Sequence, residues 1–223
     1  MEHKVTRYIP IIVIALGFFS CKKDSTFIPD SSDNLLPKYT ENGYNIAGAL
    51  INDTAWRSEF YNCTNYCPLS KLFGISSFVK GDSTIFHLSG AYTPNSIKYI
   101  DSSLNNVTKG FVFVIKGLKI ETQDSLLKLN NKTFQLDSVN SYVSIAKFYP
   151  LYNFKKGKGT FTVSRVQKDS RSTIGDGSSN NPLTYRYTVS GLFNFQANDD
   201  RFYDIKDGRF DMEVYLNQNL SIQ

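Results

Sequence analysis

The chain holds little material for nucleophilic or metal chemistry: three cysteines and two histidines in 223 residues. Cys63 and Cys67 form a Cys-x3-Cys pair in the stretch EFYNCTNYCPLS. Along a strand their Cα atoms would stand about 13 Å apart, beyond disulfide reach. Asn65-Tyr66 between them and Pro68 after them favour a bend, in which the bond closes, so a local Cys63–Cys67 disulfide is expected in an oxidising compartment. A zinc site takes about four ligands, and beyond the first twenty residues only His87 is left to assist the two thiols. No metal and no cofactor are expected. His87 itself lies in the alternating stretch STIFHLSG, where an imidazole reads as a cross-strand polar contact. With no Gly-x-Ser-x-Gly elbow to accompany it, no catalytic residue is assigned.

Charge and aromatic side chains give a second set of candidates. Asp199, Asp200, Asp204, Asp207 and Asp211 crowd the C-terminal end without calcium-loop spacing. They interleave with Arg201, Lys206 and Arg209, as on a solvated ribbon. Residues 147–171 are opposite in sign: Lys147, Lys155, Lys156, Lys158, Arg165, Lys168 and Arg171 stand against Asp169 alone. The stretch reads as a basic hairpin tip beside the proline bend of FYPLYNF. Phe148, Tyr149, Tyr152 and Phe154 with Lys155, Lys156 and Lys158 therefore form a candidate ligand surface, able to stack sugar rings or to meet anionic headgroups and acidic glycans.

The N-terminus carries an address. Lys4 and Arg7 precede the uncharged run IPIIVIALGFF, too short to span a bilayer and suited to a signal peptide. Ordinary signal-peptidase cleavage before Cys21 would place Phe18 at −3, where a small residue is needed. Ser20-Cys21 directly after the apolar run instead resembles a lipobox, in the relaxed form of Bacteroidetes-type lipoproteins that continue Cys-Lys-Lys-Asp. Lipidation of Cys21 also leaves an even pair of cysteines. The resemblance implies a signal peptide over 1–20 and a diacylglyceryl group, with a further palmitate-type chain, on Cys21. At roughly 0.8 kcal/mol per buried CH₂, two or three chains hold the protein stably on a membrane. Lys22, in place of the Asp that retains lipoproteins at the inner membrane, favours the outer membrane; the leaflet is open. Residues 21–43, rich in Ser, Asp, Pro and Lys, read as a flexible tether.

Strands must position whatever the remainder does. Residues 185–196 alternate Tyr185, Tyr187, Val189, Gly191, Phe193 and Phe195 with polar residues, Leu192 being the one exception. Period two over such a length is a half-buried antiparallel strand. Phe210, Met212, Val214 and Leu216 alternate likewise, after an Asp207-Gly208 hairpin-turn signal. Further strands are expected over 44–51, 71–79, 83–89, 110–116, 141–149 and 160–166. Turn chemistry separates them, including Asn52-Asp53, Asn130-Asn131 and Lys156-Gly157-Lys158-Gly159. Residues 125–129 alone suit a helical turn. The expectation is a single all-β domain over 44–223, an antiparallel sandwich or barrel. Hydrophobic residues at 41% with 20% charged exclude a disordered chain, and a mean hydropathy of −0.29 excludes several membrane-spanning 20-mers.

Two stretches carry a family resemblance. Gly43-Tyr44-Asn45-Ile46-Ala47-Gly48-Ala49-Leu50-Ile51-Asn52-Asp53-Thr54-Ala55-Trp56 resembles the opening of a family of small uncharacterised bacterial lipoproteins, whose first strand runs into an Asn-Gly-Lys-x-Trp turn. Ser190-Gly191-Leu192-Phe193-Asn194-Phe195 and Asp207-Gly208-Arg209-Phe210-Asp211 resemble its closing Ser-Gly-x-Phe-x-Phe strand and Asp-Gly-x-Phe hairpin. The resemblance implies location and fold; it implies no activity.

A non-catalytic, lipid-anchored β-domain that binds a glycan or an envelope protein is the reading these features favour, with no nucleic-acid partner. A polymer hydrolase using paired carboxylates and a strand-exchanging structural subunit are the alternatives. Asp-Ser or Asp-Thr followed by an aliphatic residue or threonine also resembles an O-glycosylation motif of exported Bacteroidetes-type proteins. It occurs at Ser25, Thr54, Ser83, Ser125 and Ser138; the same dipeptides also start ordinary turns.

Overall fold

The computed structural model describes residues 27–58, 73–78, 82–88, 91–92, 109–147, 156–174, 184–198 and 202–217. Within them the chain forms β1 (Ile46–Ile51), β2 (Thr54–Ser58), β3 (Phe73–Phe78), β4 (Ser83–Leu88), β5 (Ala91–Tyr92) and β6 (Lys109–Lys116). A short helix α1 (Gln123–Leu127) follows, then β7 (Lys132–Asp137), β8 (Tyr142–Lys147), β9 (Lys158–Ile174), β10 (Thr184–Asn198) and β11 (Phe202–Asn217). The strands pair antiparallel into a seven-stranded sheet ordered β5-β2-β1-β11-β10-β9-β7 and a four-stranded sheet ordered β3-β4-β6-β8.

Alternation dictates which faces meet. Phe111, Phe113 and Ile115 of β6 and Phe86 and Leu88 of β4 are buried, as are Phe161, Val163, Val189, Phe193, Phe195, Tyr203 and Ile205 on the larger sheet. Aromatic rings span the gap: Phe111 lies 4.5 Å from Trp56 and 5.4 Å from Phe193, and Phe113 stacks on Phe161 at 4.4 Å. Offset and edge-on pairs of this kind contribute about 0.5–1.5 kcal/mol each beyond their buried area. Backbone hydrogen bonds also join the sheets at one corner, where Val143 bridges Gly157. Among the described residues each sheet keeps its own edge strands, so the fold is a sandwich and not a closed barrel.

The longest expected strand is β10, and the helical turn expected over 125–129 is α1, opened by a Thr122–Ser125 capping box. Asn52 and Asp53, with φ of 47° and 62°, make the β1–β2 turn. Two expected turns are not turns. Asp207-Gly208 lies inside the continuous β11, at a bulge where the register shifts between Phe193 and Phe195. Asp207 takes φ 51° there and its amide donates to Asn194 Oδ1 at 2.8 Å. The residue chemistry that permits a positive φ in a hairpin also suits a bulge, so the two share one signature. Residues 156–159 likewise form the bridge at Gly157 and the start of β9. Within the basic stretch Lys158, Arg165, Lys168 and Arg171 lie along the 17-residue β9, while residues 148–155, the expected tip, lie outside the described residues.

The closing signature has a packing cause. Gly191 stands opposite Phe210, and Phe193 opposite Gly208. A Cβ at Gly191 would run into the Phe210 ring and the Thr162 carbonyl, and one at Gly208 into the Phe193 ring and carbonyl. Each glycine thus gives up its side-chain space to the phenylalanine of the partner strand, and both rings are 1% exposed.

Contrary to the flexible tether expected over 21–43, residues 27–43 pack on the outer face of the larger sheet, and residues 21–26 lie outside the described residues. Leu36 is 1% exposed, and Pro37 lies on Gly48, where a Cβ would collide with the proline ring. The hold is mainly polar. The buried Asp211 carboxylate accepts from Thr40 Oγ1 (2.5 Å), from the amides of Asn42 (3.0 Å), Gly43 (2.7 Å) and Tyr44 (3.2 Å), and from Ser190 Oγ (3.3 Å). Arg209 reaches Asp30 at 2.5 Å, Arg165 reaches Glu41 at 3.1 Å, and Asn45 donates to Glu213 at 3.3 Å.

Candidate functional site

Among the described residues, the clasped segment leaves one end of that outer face open. There Gln135 of β7, Lys158 and Thr160 of β9, Asn194 and Gln196 of β10, and Asp204 and Lys206 of β11 line a groove of about 520 Å³. Their places follow from period two: Leu136, Phe195 and Ile205, their strand neighbours, are buried in the core, so these side chains point outward. The register sets them in rows, Gln196 opposite Lys158 and Asp204, and Asn194 opposite Thr160.

Lys206 Nζ lies 2.9 Å from Asp204 Oδ2, and Gln196 Nε2 donates to Asp204 Oδ1 at 3.4 Å. The Lys206 ammonium is the main cause holding the Asp204 carboxyl below its usual range, and Asp204 in turn raises Lys206. The pair therefore presents a fixed acceptor and a fixed donor. Phe202, two residues before Asp204 on the same face, is 52% exposed, and Leu192, two before Asn194, is 43% exposed. Asn52 anchors the Phe202 end: its Oδ1 accepts from the Asp204 amide at 2.7 Å, and its Nδ2 donates to the Phe202 carbonyl at 3.1 Å. A second polar hollow, lined by Glu41, Asn130 and Arg165 among others, is spanned by its own bonds; Asn130 is tied to Val166 at both ends of its amide, and Glu41 to Arg165. The open groove is the better candidate.

Only part of the expected ligand surface can be located. Phe148, Tyr149, Tyr152, Phe154 and Lys155 lie outside the described residues, as do Cys21, Ser25, Cys63 and Cys67. Lys158 lines the groove, whereas Lys156 sits over the Tyr142 ring at 4.3 Å. Farther along β9, Arg165 turns to Glu41, and Lys168 to Gln123 and the Tyr185 ring. His87 stands between Gly74 and Val112 in the smaller sheet, and burial pushes its imidazole below the ordinary value. Of the acids, Asp211 is the clasp, Asp207 the bulge and Asp204 the groove. Thr54 and Ser83 open β2 and β4. The Ser125 hydroxyl is engaged with Thr122, and Ser138, at φ 64°, donates to the Asp137 carbonyl. Sequence reasoning did not find Phe202, Gln135, Thr160, Asn194 or Gln196 as a set, because outward polar residues alternate in every half-buried strand.

Two carboxylates tie the flanking loops to pH. Asp137 accepts from the amides of Val139 (2.8 Å), Asn140 (2.7 Å) and Ser141 (3.2 Å), and from the Asn140 side chain, whose bond is the largest cause lowering its pKa to about 2. Asp30 is also lowered to about 2, chiefly by the Ser32 hydroxyl and amide, with Arg209 adding to the effect. Both lie below the ordinary value of 3.8, so their contribution is present above that pH and is lost as pH falls toward 2. Amide exchange protection, measured against the intrinsic rate at each pH, is expected to fall in residues 30–38 and 137–141 between about pH 4 and pH 2, ahead of the β10 and β11 amides. A uniform loss of protection across the domain would contradict this.

No protein-family model, no curated protein and no solved structure matches this chain.

Proposed function

We propose that this protein is a lipid-anchored envelope lipoprotein whose β-domain binds a glycan in the groove formed by β7, β9, β10 and β11. The observation that carries the reading is the groove's lining: two side-chain amides besides Gln135, a threonine hydroxyl and a fixed Asp204–Lys206 pair, flanked by the exposed Phe202. Amides donate and accept at once, as vicinal sugar hydroxyls do, and an aromatic face stacks on a sugar ring. The size falls within the range of small-molecule sites. Among the described residues lining the groove Asp204 is the one carboxylate, and it is held by Lys206; glycosidases work with two carboxyl groups flanking the scissile bond. Binding without cleavage is the reading this lining favours.

The anchor rests on Lys4, Arg7, the apolar run and Ser20-Cys21, and the outer membrane on Lys22. In cells, Cys21→Ser is expected to abolish palmitate labelling and membrane retention together; a variant that still pellets with membranes would refute the anchor. Mass spectrometry of unreduced peptides is expected to show Cys63 and Cys67 linked in one peptide. For the groove, Lys158→Ala with Gln196→Ala alters only exposed positions and should leave stability within about 0.5 kcal/mol. It is expected to weaken glycan binding about tenfold or more, the loss of one or two charge-assisted hydrogen bonds. Unchanged affinity by calorimetry would remove the groove from the reading.

A further inference from the structure

The clasp sets how far the domain can stand from its anchor. Cys21 and Phe27 are six Cα steps apart, and a fully extended chain covers at most about 20 Å over that distance. Phe27 already lies on the sheet, beneath the Arg57 guanidinium of β2 at 4.6 Å. A lipid on Cys21 therefore brings a particular part of the domain to the bilayer, the loop of residues 27–38.

That loop is cross-linked by its own hydrogen bonds, and it exposes Ile28, Pro29 and Leu35 beside Ser31, Ser32 and Asn34. The Asp30 amide donates to the Leu36 carbonyl (2.9 Å), the Lys38 amide to Ile28 (2.6 Å), and Pro29 bridges Pro37. Ser32 and Leu35 are held through Asp30 and Asp33, and Arg209 locks Asp30 to the sheet. Leu36 is used as the protein contact, yet Ile28 and Leu35 remain 40% and 46% exposed. Exposed Lys38 is in the same loop, and Lys22 and Lys23 lie between it and Cys21. Asp24, Asp30 and Asp33 balance these lysines, so it is the exposed apolar side chains close to a lipidated cysteine that suit the headgroup–acyl boundary.

We propose that residues 27–38 form a membrane seat: Ile28 and Leu35 insert at the bilayer surface beside the lipidated Cys21, holding the domain against the membrane on its β2–β1–β11 side. The inference rests on lipidation of Cys21, and its test separates the two. The full-length lipidated protein is reconstituted into phosphatidylethanolamine–phosphatidylglycerol vesicles containing acyl-chain-brominated lipid. Leu35→Trp and, as a second probe, Ile28→Trp each place an indole on the seat, over a constant background from fully buried Trp56. Val139→Trp is the control; Val139 is 69% exposed in the turn after β7, the strand at the opposite edge of the sheet from β2 and β5. Seat insertion to a depth of about 5–10 Å predicts a roughly twofold loss of the added emission at positions 28 and 35, with no loss at 139. Flotation with the vesicles but equal quenching at all three positions overturns the seat and leaves the anchor standing. Failure to float overturns the anchor and the seat with it.

Discussion

Asp211→Ala is expected to destabilise the domain by about 3–5 kcal/mol, because it removes a buried charge on which several donors converge. Asp211 is 2% exposed. Its two oxygens take the amides of Asn42, Gly43 and Tyr44 and the hydroxyls of Thr40 and Ser190. Alanine leaves these donors facing an apolar methyl group, and only Thr40, Asn42 and Tyr44 are placed to regain water as the segment lifts. Asp211→Asn keeps the shape but turns one acceptor into a donor aimed at N–H groups, so it should recover less than half of the loss. Urea unfolding reads the stability, and hydrogen exchange should show residues 28–45 released while β10 keeps its protection. Deletion of residues 27–40 removes one of the same donors, Thr40 Oγ1, so it and Asp211→Ala should be non-additive. A cost below about 1 kcal/mol for Asp211→Ala would mean that the segment is not held by this carboxylate.

The second large effect concerns the closing signature. Gly208→Ala is expected to cost about 2–3 kcal/mol or more, since its methyl group has no space beside the Phe193 ring and carbonyl. Gly191→Ala should act similarly against Phe210 and the Thr162 carbonyl. Removing the ring is no remedy: Phe193→Ala opens a cavity among Phe111, Phe113 and Phe195 and should cost about 3–5 kcal/mol. Leu192→Ala, on the exposed face of the same strand, should stay within about 0.5 kcal/mol. A tolerated alanine at both glycines would contradict the reciprocal packing. The reciprocal packing of Gly191 with Phe210 and of Gly208 with Phe193 is on this account a device of the core.

The parts of this fold that could be read from sequence are those whose cause is local. Residues 185–196 alternate because one face of β10 meets a core of phenylalanines, and that periodicity survives in the sequence whatever the partner strands are. Three strands lacked such a mark. β7, KTFQLD, lies at a sheet edge and buries Leu136 alone. β2 spans five residues and β5 two, too few for a period to register. The Asp207-Gly208 bulge was read as a turn because both need a residue that tolerates positive φ. The clasped segment was read as tether because its composition is that of a linker. What orders it is a carboxylate about 170 positions away, and no local pattern announces such a contact. The groove was legible only at its margin: Lys158 was singled out for charge, while its partners from β7, β10 and β11 were indistinguishable from ordinary solvated strand positions until the register aligned them.

Nuclear magnetic resonance titration of the folded domain with linear oligosaccharides, both neutral β-linked hexoses and uronates, tests the functional reading most directly. The account predicts saturable shifts in the amides of residues 135, 158–160, 194–196 and 202–206, together with the side-chain amides of Gln135, Asn194 and Gln196. It also predicts unshifted amides at residues 27–38 and in the four-stranded sheet. Shifts centred away from this groove, or none with any oligosaccharide at millimolar concentration, would contradict it.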